Sequence, residues 1–379
     1  MLQKIRLTSF RNFKDKLISF SPETTVIVGP NASGKTNILE SLFLLSTGKS
    51  FRARIEEEMI NYEDDIARVA ARVGNTEQVE SSMSKNKNHT TKLEVVLTRG
   101  LIDIGTNKPE RVARKKLLLN GISKRLVDFA GTFKTVLFGP QHLGLVTESP
   151  SIRRDFLDTL LSQVDREYRR AILSYEKGLR QRNKLLFRIR EEGLSRSQLM
   201  FWNQLLIKNG DYISKKREEF IDFTNNIQDP RFNAQYKLDY DKSAISEVRL
   251  EQYKDEEVAV ATTLVGPHRD DMQFQILNSE LQKKRNLATY GSRGETRMGV
   301  LWLKLSELAF IEEKTRSASS GQAGGKPTLL LDDIFSELDH EHRKIVMRVA
   351  MNQQTIITTA DPHFLENFRK VDTIKLDGA

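Results

Sequence analysis

The chain has 379 residues, no cysteine, and 60 Lys plus Arg against 51 Asp plus Glu, giving a net charge of +9 and a pI near 9.4. The lack of cysteine excludes disulfides and thiolate metal sites, and no apolar run approaches the roughly 20 residues of a membrane span. The opening MLQKIRLTSFRNF alternates like a strand and has no signal-peptide centre, so a cytoplasmic protein with no membrane partner is expected. The length allows two or three lobes at about 100–200 residues each, and the positive balance favours a polyanionic partner.

In chain order, 2–7 and 17–20 read as strands, as does the β-branched run at 24–28. Residues 37–45 place Ile38, Leu39, Leu42, Phe43 and Leu45 at helical spacing. Between strand and helix stands Gly29-Pro30-Asn31-Ala32-Ser33-Gly34-Lys35-Thr36, a GxxxxGK[ST] phosphate loop in its required strand-loop-helix setting. Its backbone N–H groups, with Asn37 just behind, wrap phosphates at the positive end of the helix. Lys35 would reach the β and γ phosphates, and the Thr36 hydroxyl would ligate Mg²⁺.

Residues 66–138 hold four β-like runs, IARVAARV, KLEVVLT, KKLLLNG and KTVLF, which predict one small antiparallel sheet. The polar stretch 77–92 predicts a mobile hairpin tip. After Pro150, Leu157, Leu161, Val164, Tyr168, Ile172, Tyr175 and Leu179 recur at steps of three and four. That spacing predicts one long helix to about residue 190, roughly 60 Å for about forty residues. A second helical pattern covers 195–226, and the absence of sustained heptads excludes a long coiled-coil arm. Near Gly266 the pattern returns to mixed α/β, and 317–327, SASSGQAGGKP, reads as a flexible loop.

Residues 328–333, TLLLDD, form an apolar strand that delivers carboxylates to its C-terminal end. Asp332 is the metal-side acid of a Walker B element, and Asp333 is the candidate base for the attacking water. The plainer reading is an acidic turn capping the helix that begins near Glu337. Upstream, Gly291-Ser292-Arg293-Gly294-Glu295 opens an apolar helix, so Ser292 and the amides near Gly294 offer a second anion site. There the plainer reading is an ordinary N-cap.

These elements together resemble the ATP-binding-cassette (ABC) head of the structural-maintenance-of-chromosomes (SMC) class. FGPQHLGLVTESPSIRRDFLD at 138–158, LSYEKGLRQRNKLL at 173–186, GPHRDDM at 266–272 and the opening LTSFRNF narrow the match. They resemble the blocks of the RecF family of bacterial recombination mediators, in family order from residue 5 to 361. The resemblance implies an α/β fold, an ABC-type (SMC-like) ATPase head with mixed β-sheets plus an inserted helical lobe. The head would comprise 1–148 and 263–379, and the lobe 149–262. It implies ATP and Mg²⁺ as cofactors, and a homodimer on ATP in which Ser292, Gly294 and Glu295 of one chain complete the site of the other. Gln141 would link nucleotide to the helical lobe, and Asp339 would sense the neighbouring site.

It also implies weak DNA-stimulated ATPase activity, binding to duplex DNA near single-strand gaps, RecR and RecO type partners, and indirect loading of RecA in repair, recombination and replication. Basic residues supply the physical counterpart. Arg169, Arg170, Lys177, Arg180, Arg182, Lys184, Arg188 and Arg190 crowd the long helix, and Arg111, Arg114, Lys115, Lys116, Lys124 and Arg125 the strand region. Arg180, Arg182, Lys184, Lys115 and Lys116 are the candidate DNA contacts, of the backbone-reading kind; a solvated helix face is the plainer reading of each. The chain departs from cassette ATPases in three places. Asp333 stands where many have Glu, which suggests slow turnover; Thr296 stands where glutamine is frequent; and Thr358 or Thr359 replaces the usual switch histidine, with His363 read as a surface residue. The rival readings are a transporter-type cassette ATPase, for which the interval from Thr36 to Ser292 is too long, and a scaffold that binds nucleotide without a gap-repair role.

Overall fold

A computed structural model describes residues 1–74, 90–102, 110–227, 232, 235–278, 283–318, 325–361 and 371–377. Most of the predicted hairpin tip and loop, and His363, lie outside the described residues. Two compact units are present, Met1–His142 with Ile311–Ala379, and Leu143–Phe310. Among the described residues no helix is long and apolar enough to cross a membrane.

The chain opens with a hairpin of β1 (Leu2–Phe10) and β2 (Phe13–Ser19), then β3 (Thr24–Val28) and helix α1 (Lys35–Thr47). Next come β4 (Ile66–Gly74), β5 (Thr90–Thr98), β6 (Lys115–Leu119), β7 (Ile122–Lys124) and β8 (Thr135–Phe138). The second unit contributes α2 (Pro150–Val164), α3 (Arg166–Glu192), α4 (Met200–Asn226), β9 (Gln235–Asp241), β10 (Asp271–Asn278) and β11 (Lys283–Asn286). Helix α5 (Arg293–Ala318) leads back to β12 (Thr328–Asp332), α6 (His340–Ala350), β13 (Thr355–Thr359) and β14 (Asp372–Lys375).

In the first unit an antiparallel sheet of order β2-β1-β4-β5-β6-β7 faces a parallel sheet of order β8-β12-β13-β3-β14 across α1. The antiparallel strands alternate as half-buried strands should: Ala67, Val69 and Ala71 of β4 point inward, while Arg68 and Arg72 point out. Helix α1 is apolar on nearly every side because both sheets cover it; Ile38, Leu39, Leu42, Leu44 and Leu45 are wholly buried. At about 1.5–3 kcal/mol per buried side chain, these residues anchor the helix whose first turn carries the phosphate loop. KTVLF is a correction to the expectation of one antiparallel sheet. It is β8, buried along its whole length, and it pairs in parallel with β12. A strand covered on both faces loses the alternation that marks a half-exposed one.

The single long helix predicted after Pro150 is in fact two. Asp165 adopts an extended conformation between α2 and α3, and its carboxylate caps α3 by accepting from the Glu167 and Tyr168 amides at 2.8 and 3.0 Å. Apolar spacing runs through the break because both helices face one core. The second unit extends to Phe310, beyond the residue 262 expected for the helical lobe, because β10 pairs with β9 along its length. Gly266, Pro267, Asp270 and Met272 of the GPHRDDM block are buried there, while Arg269 is exposed. Arg217 of α4, 1% exposed, donates to Asp270 at 2.9 Å, to Asp158 at 2.8 Å and to the Pro267 carbonyl at 2.7 Å. Gly266, at φ +126°, leaves room for the Tyr175 hydroxyl, which would lie 2.2 Å from a Cβ placed there.

His268 sits beside this network. Its Nε2–H donates to the Thr263 carbonyl at 3.0 Å, so its Nδ1 accepts from the Tyr175 hydroxyl at 2.8 Å. Burial, aided by the Arg269 and Arg154 charges and opposed by Asp270, lowers its pKa from 6.5 to about 4. The folded chain therefore holds a neutral ring while the unfolded chain binds a proton below pH 6.5. Stability from this residue is complete above that pH and is lost as pH falls toward 4, on the order of 3 kcal/mol in all. Urea midpoints measured from pH 7 to 4.5 should fall more steeply for the unaltered chain than for His268→Gln; equal slopes would contradict the assignment.

Candidate functional site

The phosphate loop is shaped by glycines with no room for a side chain. A Cβ on Gly29 would stand 2.7 Å from the Ser33 Oγ and 2.8 Å from the Leu376 carbonyl oxygen, and one on Gly34, at φ +96°, 2.6 Å from the Phe13 ring. Gly34 occupies the N-cap place of α1, no side chain caps the helix, and no acidic residue stands in its first turn. The positive helix end is thus left without an internal anion. Pro30, Asn31 and Ala32 are exposed, while the Ser33 hydroxyl is buried in the loop with no hydrogen-bond partner among the described residues. Lys35 folds back and donates to the carbonyls of Gly29 at 2.7 Å and Pro30 at 2.9 Å. An uncapped helix end, an orphaned buried hydroxyl and a lysine held only by neutral carbonyls fit a phosphate chain.

The β1–β2 turn braces this loop, a feature the sequence reading missed. Asn12 donates to the Ser33 carbonyl at 3.4 Å and accepts from the Asn37 amide at 2.9 Å. Arg11, at φ 53°, forms a two-pronged pair with the wholly buried Glu40 of α1 at 2.6 and 2.8 Å. The FRNF motif was the available signal, since a polar Arg-Asn pair between two strand phenylalanines marks a turn with work for its side chains.

Across the parallel sheet, β12 and β13 pair Asp332 with Thr358. Asp332, 6% exposed, accepts on Oδ1 from the Thr36 hydroxyl at 2.9 Å and from the Thr358 hydroxyl at 2.8 Å. Residues almost three hundred positions apart thus meet at one carboxylate oxygen. Asp333 follows in the left-handed region, φ 48°, with its N–H shared between the Thr358 carbonyl at 3.1 Å and hydroxyl at 3.2 Å. Burial raises the pKa of Asp333, the Lys35 charge opposes that shift, and the neighbouring Asp332 adds to it. Gln141 converges on the same place: a Cβ on Gly139 would lie 2.7 Å from its Oε1 and 3.1 Å from the Asp332 Cβ. Among the described residues no cluster of three or more His, Asp or Glu could hold a metal unaided. The Thr36 and Asp332 oxygens suit Mg²⁺, which keeps water and phosphate in its shell and takes few protein ligands.

Ser292, Gly294 and Glu295 belong to the second unit. The Ser292 N–H donates to the Glu295 carboxylate at 2.8 Å, and the Glu295 N–H donates to the Ser292 hydroxyl at 3.2 Å. This is a capping box, and it holds the Glu295 pKa below its usual value through the Ser292 amide, with Arg285 also paired to that carboxylate. The plainer N-cap reading is therefore what these two residues do within the chain. Gly294 differs, since it is exposed and nothing beyond its chain neighbours and the backbone of its own helix lies within 4 Å of where its Cβ would be. Nothing in the described chain demands glycine there. Asp339 caps α6 by accepting from the His342 amide at 3.1 Å.

Two of the candidate DNA contacts are corrected. Arg182 is 2% exposed and donates to Glu257 at 2.6 Å, Asn203 at 2.7 Å and Thr263 at 2.8 Å, so it is a core ion pair with no face toward solvent. Its register carried the warning: Tyr168, Tyr175, Arg182 and Ile189 recur every seven residues along the buried side of α3. Lys115 is half-buried, donates to the Gly48 carbonyl at 3.0 Å and pairs with Glu56, so its charge is engaged within the first unit. Arg180, Lys184 and Lys116 are exposed.

The chain is similar to known proteins over nearly its whole length. The family model for the RecF/RecN/SMC N-terminal domain matches residues 1–378. The DNA replication and repair protein RecF of Herpetosiphon aurantiacus is 33% identical over 98% of this chain and 97% of its own length, and that of Ligilactobacillus salivarius is 32% identical over 94% and 90%. A solved structure described as the recombination mediator protein RecF-ATPrS in the RecFOR pathway superimposes with a TM-score of 0.81 at 28% identity, over 100% of this chain and 97% of that one. The RecF-ATP structure gives 0.80 at 29% identity over 99% and 95%. A Pyrococcus furiosus Smc head, at 16% identity and a TM-score of 0.51 over 99% and 93%, shares the fold. The chain thus has the mixed-sheet SMC-like head with a helical region, and it belongs to the RecF/RecN/SMC N-terminal domain family and, within it, to the RecF DNA replication and repair proteins.

Proposed function

We propose that this chain is an ATP-dependent, DNA-binding recombination mediator that closes as a homodimer on ATP and reopens through slow hydrolysis. The observation that carries the reading is the meeting of Thr36, at the uncapped start of α1, with Asp332 at the end of β12. The backbone N–H groups from Asn31 to Asn37 cradle the phosphates. Lys35 leaves the Gly29 and Pro30 carbonyls for the β and γ oxygens. Thr36 and Asp332 hold Mg²⁺, which when bound neutralises charge on the β and γ phosphates. Asp333 accepts the proton of the attacking water, and Gln141, beside Asp332, carries the state of the site toward the helical lobe.

The other half of each site comes from a second copy, with Asp339 monitoring the neighbouring site. The Ser292 hydroxyl accepts from the Glu295 amide and donates to the Glu295 carboxylate, and on closure that proton turns to a γ-phosphate held by the partner. The open space around Gly294 lets that phosphate reach the backbone of α5, with Glu295 fixing the first turn. Such an interface is isologous and closes as a twofold dimer. ATP favours it because the γ-phosphate is what both copies would touch and ADP lacks. Arg180, Lys184 and Lys116 supply exposed positive charge for duplex DNA near a gap, with contacts to the backbone and hence salt-dependent affinity. The solved relatives are described as mediators in the RecFOR pathway, which supports RecO and RecR type partners; indirect loading of RecA is the further step of this reading. Sedimentation of the purified chain with Mg²⁺ tests the clamp: a dimer with ATP and a monomer with ADP are expected, and equal dimerisation with both nucleotides would contradict it.

A further inference from the structure

Thr358 is hydrogen-bonded through its hydroxyl both to the Asp332 carboxylate and to the Asp333 backbone N–H. It is wholly buried in β13, directly across from Asp332. A hydroxyl carries one proton and two lone pairs, and its surroundings dictate how they are used. Asp332 Oδ1, at 2.8 Å, can only accept from it, and the Asp333 N–H, at 3.2 Å, can only donate to it; the Leu331 carbonyl at 3.4 Å is a longer competitor for the proton. The donated proton fixes the rotation of the Asp332 carboxylate, leaving Oδ2 as the oxygen without a hydroxyl donor. The accepted N–H belongs to a residue held at φ 48°, a conformation that costs free energy outside glycine.

We infer that Thr358 is a positioning residue that sets the metal-side carboxylate of Asp332 and the backbone of Asp333 together through a single hydroxyl. This inference rests on the nucleotide reading of the site. Its chemistry is that of an outer partner orienting a metal ligand, a role whose loss commonly costs 10- to 100-fold in metal affinity or activity. Thr358→Val keeps the shape and the Asp333 bond to the residue 358 carbonyl while removing the hydroxyl. Thr358→Ser does the reverse, keeping the hydroxyl and losing a methyl group.

The test measures equilibrium binding of a fluorescent ATP analogue across Mg²⁺ concentrations, together with single-turnover hydrolysis and urea midpoints. For Thr358→Val we expect unchanged analogue binding without Mg²⁺, about tenfold more Mg²⁺ needed for the metal-dependent gain, and hydrolysis slower by about 10- to 100-fold. Thr358→Ser should restore both. If urea shows that Thr358→Val does not fold, the same comparison is made between Thr358→Ala and Thr358→Ser. An unchanged Mg²⁺ profile in the hydroxyl-free variant overturns the inference, as does an equal defect in Thr358→Ser, which would assign the effect to packing of the methyl group. If the unaltered chain binds no analogue at all, the nucleotide reading itself fails and this inference falls with it, a result distinct from the other two.

Discussion

Replacing Lys35 by alanine should abolish ATP-dependent dimerisation and reduce hydrolysis by about 10²–10³-fold, the usual cost of losing one preorganised donor at developing negative charge. The ammonium is the only cation shown within the phosphate loop, and it rests on two carbonyl oxygens at 2.7 and 2.9 Å. Those neutral acceptors are readily exchanged for phosphate oxygens carrying full charge, where charge-assisted hydrogen bonds are roughly twice as strong. Arginine should not restore function, because its planar fork cannot reproduce the compact ammonium inside the loop. Sedimentation and phosphate release measured on the same preparations check the prediction; a Lys35→Ala chain that still dimerises with ATP would remove the loop from the clamp.

Asp333→Asn should separate closure from hydrolysis. Asparagine tolerates the left-handed backbone that Asp333 occupies, so the local geometry survives while the proton acceptor is lost. We expect hydrolysis to drop by about 10²–10⁴-fold, the typical share of a general base, with the ATP-bound dimer persisting and accumulating. The pH dependence has a definite sign. Burial raises the Asp333 pKa above 3.8, and only the ionised form can accept a proton. The rate for the unaltered chain should therefore climb with pH through a midpoint above the ordinary aspartate value, and this acid limb should vanish in the variant. The same shift makes the ionised carboxylate unfavourable in the folded state, so Asp333→Asn should raise the urea midpoint at pH 7. Undiminished hydrolysis in the variant would transfer the role of base to another group.

Much of the site could be read from local patterns because its parts are short, and each demands particular residue types. Glycines in a tight loop, a lysine and threonine opening a helix, and acids ending an apolar strand are patterns of adjacent residues and appear where expected, although the walls that exclude a Cβ at Gly29 and Gly34 include Leu376 and Phe13 from distant segments. The errors came where tertiary context decides. β8 gave no sign of its parallel neighbour because burial on both faces removes the periodicity that identifies a sheet face. Asp165 interrupted a helix whose apolar rhythm continued on both sides, since its capping role depends on backbone geometry. Arg182 counted as surface charge by residue type, whereas Glu257, seventy-five positions away, together with Asn203 and Thr263 makes its burial tolerable. Arg11 and Asn12 act on α1 and the phosphate loop through contacts that join a hairpin turn to a helix in a different sheet layer.

The central claim is that nucleotide state controls the grip on DNA, and the most direct test is equilibrium binding of the purified chain to gapped and intact duplexes. Each would be measured with ATP and with ADP at one near-physiological salt concentration, because affinity carried by phosphate contacts is interpretable only at fixed ionic strength. The account predicts tighter binding with ATP than with ADP, strongest on the gapped duplex. Equal binding with both nucleotides on both duplexes would contradict it.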